Sequence, residues 1–249
     1  MIKFFRTIRK KLIEQSKVRN YFFYAIGEII LVVIGIFIAI QANNWNVERV
    51  AQKELAFELE KLVINLKQDT LEIHNRIKVN NEIISSLDSC LIVLKNPKAY
   101  SKRYFSELFF PINQTVDFIS NKTSFNSLTT SGKLQKLKNN TLIDSLSYFY
   151  TIDGYKNIES AITNHTRDII RPYLMGFDFI TINDKMMNAY SDDDSFFTEP
   201  KTLDDYASDY KIINGIRFKI FLHKLLNASY VGRIKNTKRL INQINEEID

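Results

Sequence analysis

The chain has 249 residues, of which 45% are apolar and 25% are charged, so it can bury a hydrophobic core and is neither collagen-like nor wholly disordered. It contains only seven glycines and four prolines, and this scarcity argues against a sandwich or barrel with many tight turns and favours an all-α fold. A single cysteine, Cys90, cannot form an intramolecular disulfide. With only three histidines beside it, we predict no metal site and no cofactor.

The formal charge of the chain is +6, and the excess is confined to the first segment. Residues 1–20 contain seven basic residues and one acidic residue, whereas the rest of the chain contains 27 of each. No basic domain therefore remains to neutralise a phosphate backbone, and we expect no nucleic-acid partner. The basic segment 1–20 immediately precedes the most hydrophobic stretch of the protein.

That stretch runs from Tyr21 to Ile40 and contains one acidic or basic residue, Glu28. At 1.5 Å per residue, a helix of this length spans about 30 Å, the thickness of the hydrocarbon core of a bilayer. We therefore predict a transmembrane helix over residues 21–42, with the lipid bilayer as a partner.

Residues at the two ends of this stretch predict its topology. Tyr21 and Tyr24 lie at one end and Trp45 lies just beyond the other, where aromatic rings favour the headgroup layer, so we predict them as interface anchors. The basic N-terminal flank should stay in the cytoplasm and the residues after the span should be exported. A cleaved signal peptide and a buried core helix are the alternatives. Ile40-Gln41-Ala42 fits a cleavage site poorly, which favours an uncleaved anchor.

Two segments carry a resemblance to a known family. The first is YAIGEIILVVIGIFIAIQANNWN, preceded by the basic run FFRTIRKKL, and the second is FNSLTTSGKLQKLKNNTLIDSLSYFY, from Phe125 to Tyr150. They resemble the two recurrent blocks of a bacterial family found mainly in flavobacteria and their relatives, known only as a domain of unknown function. The resemblance implies a single-span protein of the bacterial inner membrane with a periplasmic C-terminal domain. It implies no activity, because none is established for the family.

One face of the predicted membrane helix combines the acidic residue with small residues. Gly35, Ala39 and Ala42 follow Glu28 at helical spacing on this face. Small residues let another helix approach closely, and a carboxyl group in lipid is costly unless it is protonated, paired or hydrated. We predict a contact through this face with a second copy or with another membrane protein. The alternative is that Glu28 lies close enough to the cytoplasmic interface to be reached by water.

Residues 43–96 are predicted to form a long stalk helix that continues the span, because they contain no proline or glycine and their apolar residues recur at steps of three and four. Asp69 and Asn80 interrupt the apolar seam. Polar residues at such positions fix the register of a coiled coil or mark uneven packing against later helices, and we favour the packing. The seam consists of Leu55, Leu59, Leu62, Leu66, Ile73, Ile77, Ile84, Leu87, Leu91 and Leu94.

Residues 97–249 are predicted to form an extracytoplasmic helical domain, which together with the stalk gives a helical bundle. Pro97 should end the stalk, and Gly132 should cap a helix at its C-terminus. Thr141–Asp144 resembles a capping box that opens a helix ending near Pro172. This helix should present a buried face of Leu142, Leu146, Phe149, Ile158, Ile162 and Ile169.

The rest of this domain is predicted to be a loop followed by one more long helix. Met175–Pro200 should be an exposed loop, in which Asp192–Asp194 form a solvated turn rather than a calcium site. The last helix should begin at Thr202–Asp205 and run almost to Asp249. Its expected apolar residues are Ile212, Ile216, Ile220, Leu222, Leu225, Leu226, Val231, Ile234, Leu240, Ile241 and Ile244.

No catalytic motif emerges. The chain has no phosphate-binding loop, dinucleotide-binding glycine motif, nucleophile elbow or zinc-protease motif. His74, His165 and His223 lie far apart in the sequence. We therefore predict a non-enzymatic, membrane-anchored helical interaction or scaffold protein. An extracytoplasmic sensor or transducer, and an effector subunit that oligomerises through its membrane helix, are the alternatives; an enzyme acting on the envelope is less favoured.

Overall fold

A computed structural model of the chain describes residues 18–172 and 201–248. Within these two ranges every regular element is helical, which confirms the predicted all-α class. The α-helices are α1 (Val18–Lys95), α2 (Lys102–Phe109), α3 (Thr123–Thr130), α4 (Asn140–Thr151), α5 (Gly154–His165), α6 (Leu203–Ser208) and α7 (Tyr210–Ile248). Short 3₁₀ turns occupy Pro97–Ala99, Phe110–Asn113 and Leu134–Lys136, and a π-turn at Thr166–Ile170 follows α5.

The chain divides into two compact units, Met1–Phe57 and Glu58–Asp249. The first contains the beginning of α1. Its large apolar side chains from Phe22 to Ile40 are widely exposed, from 36% at Ile26 to 69% at Leu31. Residues 1–17 of the basic segment, the predicted loop at 175–200 and the side chain of Tyr21 lie outside the described residues.

The second unit contains the rest of α1 and all later helices, and its core has two clusters of buried side chains. In the first cluster, Leu87 of α1, Phe105 of α2 and Ile216 of α7 pack together with Tyr206 of α6. In the second, Ile73 of α1 packs with Ile162 of α5 and with Leu226 and Tyr230 of α7. Residues from α1 and α7 thus enter both clusters.

The predicted seam of α1 packs against later parts of the same chain. This is the arrangement that we favour from the sequence over a coiled coil. Leu59, Leu62 and Leu66 are buried. Asp69 and Asn80 are buried too, and both find partners inside this unit. The Asp69 carboxylate accepts hydrogen bonds from the Ser120 hydroxyl at 2.5 Å and the Asn121 N–H at 3.0 Å.

Several predicted helix ends are confirmed. Helix α1 ends at Lys95, two residues before Pro97. Gly132 follows α3 with φ +69°, the left-handed conformation that glycine adopts most readily after a helix. Thr202 and Asp205 form a reciprocal capping box at the start of α6.

The capping box predicted at Thr141–Asp144 is wrong. Helix α4 begins at Asn140, and Asn139 caps it by accepting a hydrogen bond from the Leu142 N–H at 3.1 Å. The predicted single helix is also interrupted between α4 and α5, because Ile152 has an extended backbone conformation.

The predicted buried position of Ile169 is wrong as well. The π-turn at Thr166–Ile170 adds one residue to the helical repeat, so that Ile170 is 1% exposed while Ile169 is 55% exposed. On α7, Leu225 and Val231 are exposed rather than buried, and Asp209 separates this helix from α6.

Candidate functional site

The predicted membrane-contact residues lie along α1 in the first unit. Gly35, Ala39 and Ala42 are exposed, and Glu28 is half-buried. A Cβ atom placed on Gly35 would meet no described atom within 4 Å, so this face is open to close approach by another helix. That contact stays a prediction.

The predicted interface anchors flank the same segment. Tyr24 is half-buried, and Trp45 is 67% exposed with the Arg49 guanidinium 5.4 Å from its ring centroid. Their place at a lipid interface also stays a prediction.

The second unit contains a ladder of amide and imidazole groups between α1 and α7. His223 donates a hydrogen bond from Nδ1–H to Oδ1 of the buried Asn80 side chain at 2.8 Å, and Asn80 Nδ2 donates to Asn227 Oδ1 at 2.8 Å. Asn227 in turn donates to Asn81 Oδ1 at 2.8 Å. Burial, and then the charge of Lys219, lowers the pKa of His223 to about 3, so this imidazole is neutral at physiological pH.

A second polar cluster surrounds Glu159 on α5. This side chain is 2% exposed, and its Oε1 accepts hydrogen bonds from the Tyr230 hydroxyl at 2.6 Å and the Phe118 N–H at 2.9 Å. Lys156 Nζ donates to Oε2 at 2.7 Å. The buried carboxylate is therefore fully engaged by protein groups, and burial together with Glu159 raises the pKa of Tyr230.

A third cluster holds the buried guanidinium of Arg233 on α7. Its Nη1 donates to the Phe149 carbonyl at 2.6 Å, and its Cζ lies 3.4 Å from the Phe149 ring centroid. Asp153 Oδ1 lies 3.4 Å from the same Nη1, while Lys122 Nζ lies 3.2 Å from Asp153 Oδ2. Two cations thus share one carboxylate, which ties the end of α4 to α7.

The fourth buried group is Lys219 on α7, whose side chain has no exposed area. Its Nζ donates to the Gln114 carbonyl at 2.8 Å and to Thr166 Oγ1 at 2.5 Å. Burial, with a smaller contribution from Arg171, lowers the pKa of this lysine to about 8. Among the described residues it has no ion-pair partner, so it is a buried cation held by neutral acceptors.

Lys219 also connects two histidines that are far apart in the sequence. Burial, and then the charge of Lys219, lowers the pKa of His165 to about 4, and the same cation lowers the pKa of His223. The third histidine, His74, is exposed and contacts the Thr70 carbonyl of its own helix at 2.7 Å. In the described ranges, no group of three potential metal-ligating side chains occurs.

Sequence reasoning missed the buried charges of α5 and α7. Lys219 and His223 fall in the apolar seam of Ile212, Ile216 and Leu226, so helical spacing alone marks them as buried polar residues, as it does Asp69 and Asn80 on α1. Each of these groups makes a hydrogen bond to a protein partner inside the second unit.

Comparison with known proteins identifies the family of the chain. A model of DUF6090, a family of unknown function, matches residues 28–167, more than half of the chain. Neither the search of curated proteins nor that of solved structures returns a match. The matched range includes the whole of the second segment that carries the resemblance noted above. It includes the first segment from Glu28 onward. The chain belongs to this family of unknown function.

Proposed function

We propose that the protein is a single-span, non-enzymatic scaffold or interaction protein of the bacterial inner membrane. The observation that supports it best is the exposed apolar surface of α1. Twelve large apolar side chains between Phe22 and Ile40 are at least half exposed. Apolar surface in water costs roughly 25 cal/mol per Å², so lipid is the solvent that suits this helix.

The flanking residues support an orientation with the N-terminus inside the cell. Residues 1–20 contain seven basic residues and one acidic residue, and such segments stay on the cytoplasmic side. The second unit would then lie in the periplasm as a helical bundle. Its shared core clusters between α1, α5 and α7 support that arrangement.

A scaffold role is supported by the state of the buried ionisable groups. Glu159, Arg233 and Lys219 each bind protein atoms at hydrogen-bond distance. A catalytic acid or base needs access to a substrate atom, whereas these groups are turned toward neighbouring helices. Binding of a partner would instead use the exposed faces of α1 and α7.

Topology can be tested by cysteine labelling with a maleimide that does not cross membranes. The native thiol gives a low background, because Cys90 is buried and its pKa is raised to about 12. In intact spheroplasts, Lys235→Cys on the exposed face of α7 should react at once, and Thr7→Cys only after the membrane is permeabilised. The opposite pattern, or release of the protein from membranes by alkaline washing, would refute the proposed topology.

The membrane contact is tested separately in native membranes by crosslinking. Glu28→Leu combined with Gly35→Leu should abolish crosslinked complexes, since both changes alter the small-residue face. A matched control is Val33→Leu combined with Phe37→Leu, which changes the opposite face and should leave complexes intact. Complexes that survive the first pair of changes would rule out association through this face.

A further inference from the structure

A cleft of about 680 Å³ opens in the second unit beside the π-turn. One wall is the segment from His165 to Pro172, and the other is the first two turns of α7, from Lys211 to Phe218. Its volume lies in the range of small-molecule sites, roughly 300–1,000 Å³. π-Turns occur often at functional sites, and this one creates the wall by turning Ile169 outward.

The lining is mainly apolar. Ile169, Ile170, Ile212 and Phe218 all border the cleft. Its floor is close-packed at Gly215, where an added Cβ atom would lie 3.0 Å from Ile170 Cδ1. The cleft therefore offers a hydrophobic trough with a close-packed floor.

Its polar groups favour an anionic end on that ligand. The Asp168 carboxylate at the rim is already bound by Arg167, at 2.6 and 3.0 Å. Lys211 lies exposed across the cleft, and within residues 18–172 and 201–248 its ammonium group has no ion pair. His165 also lines the cleft, is 7% exposed, and its Nδ1 has no partner among the described residues.

The wider surface strengthens this preference. Six basic residues of α7 between Lys211 and Arg239 are exposed, and this stretch contains no acidic residue. Next to the cleft, Phe218, Phe221 and Leu225 are 43–56% exposed and recur at steps of three and four on the same helix. An apolar ridge beside cations matches a molecule with a hydrocarbon chain and a negative head.

We propose that this cleft binds a single-chain anionic amphiphile of the fatty-acid class. The chain lies between Ile169 and Phe218, and the carboxylate pairs with Lys211. The neutral imidazole of His165 donates a hydrogen bond to the same carboxylate inside the cleft. This binding site is independent of the proposed membrane topology, because all of its residues belong to the second unit.

The test uses the full-length protein in nanodiscs of zwitterionic lipid, with a photoreactive diazirine analogue of hexadecanoic acid as probe. After irradiation, mass spectrometry should locate saturable adducts on residues 165–172 or 211–218. Excess hexadecanoic acid should compete, whereas hexadecanol, which lacks the charge, should not. Labelling restricted to α1, or equal competition by both compounds, would overturn the proposal.

Matched variants sharpen the result. Lys211→Glu should weaken probe binding by about tenfold or more, the usual effect of losing a charge-assisted contact, and Ile169→Trp should fill the trough and abolish labelling. The controls are Lys235→Glu on the same helix and Ile119→Trp at a site that is 84% exposed, and both should label like the wild type. All four positions are exposed, and circular dichroism checks the fold. Unchanged labelling of both cleft variants would refute the site.

Discussion

Replacing Lys219 with methionine should remove a pH dependence from the stability of the second unit. The pKa of this fully buried lysine falls from 10.5 to about 8 on folding. Because the folded pKa lies below the unfolded one, the unfolded state holds the proton more tightly. The contribution of Lys219 to stability is therefore lowest below about pH 8 and rises as pH increases through the window from about 8 to 10.5.

The size of the effect follows from these two pKa values. Proton linkage gives the wild type a gain of about 2 kcal/mol between roughly pH 7 and pH 9.5. For a domain of this size, such a gain raises the unfolding midpoint by roughly 4–8 °C. In Lys219→Met the aliphatic stem remains and the charge is absent, so most of this rise should disappear.

The assay is thermal unfolding of the full-length protein in mild detergent, followed by circular dichroism at both pH values. Comparing the two pH-dependent shifts cancels the loss of the hydrogen bonds to Gln114 and Thr166, because that loss is the same at both pH values. Lys224→Met, an exposed lysine on the same helix, is the control and should keep the wild-type rise. An equal rise in Lys219→Met and wild type would refute the claim that Lys219 is a destabilising buried cation.

Three further predictions concern the same unit. The folded pKa of His165, about 4, lies below the ordinary 6.5, so the wild type loses stability as pH falls through this window. His165→Phe should therefore reduce the loss of stability between roughly pH 7 and 4.5 by about 2 kcal/mol in thermal unfolding. An unchanged acid profile would contradict this. Glu159→Gln should lower the free energy of unfolding in urea by about 3 kcal/mol, since a buried acceptor of three hydrogen bonds becomes partly a donor. A decrease below about 1 kcal/mol would count against the importance of these hydrogen bonds. Gly232→Ala should raise the free energy of unfolding by about 1 kcal/mol in the same assay. Gly215→Ala should raise it less, because the added Cβ would lie 3.0 Å from Ile170 Cδ1. Equal increases would show that Ile170 moves away from the new Cβ without an energetic cost.

The parts of the fold that the sequence predicts depend on local chemistry. The capping box at Thr202, the left-handed glycine at Gly132 and the end of α1 before Pro97 each follow from one or two neighbouring residues. The buried face of Leu59, Leu62 and Leu66 follows from helical spacing alone. Such signals need no knowledge of distant parts of the chain.

The errors arise where the helical repeat itself changes. A uniform helical repeat predicts burial of Ile169, and the π-turn shifts the buried position to Ile170. Exposure of Leu225 and Val231 follows from their place on α7 away from both core clusters. Two of the three partners of Glu159, Phe118 and Tyr230, are 41 and 71 residues away in the sequence, a separation over which helical spacing predicts nothing.

The contact of Asn80 and Asn81 with His223 and Asn227 limits how the second unit can move. If α1 slid along α7 by one turn, about 5.4 Å, these amides and the imidazole would lose their hydrogen bonds to one another. Sliding of one helix past the other is therefore opposed by the loss of these hydrogen bonds. The ladder therefore favours movement of these parts of α1 and α7 as one body within the second unit.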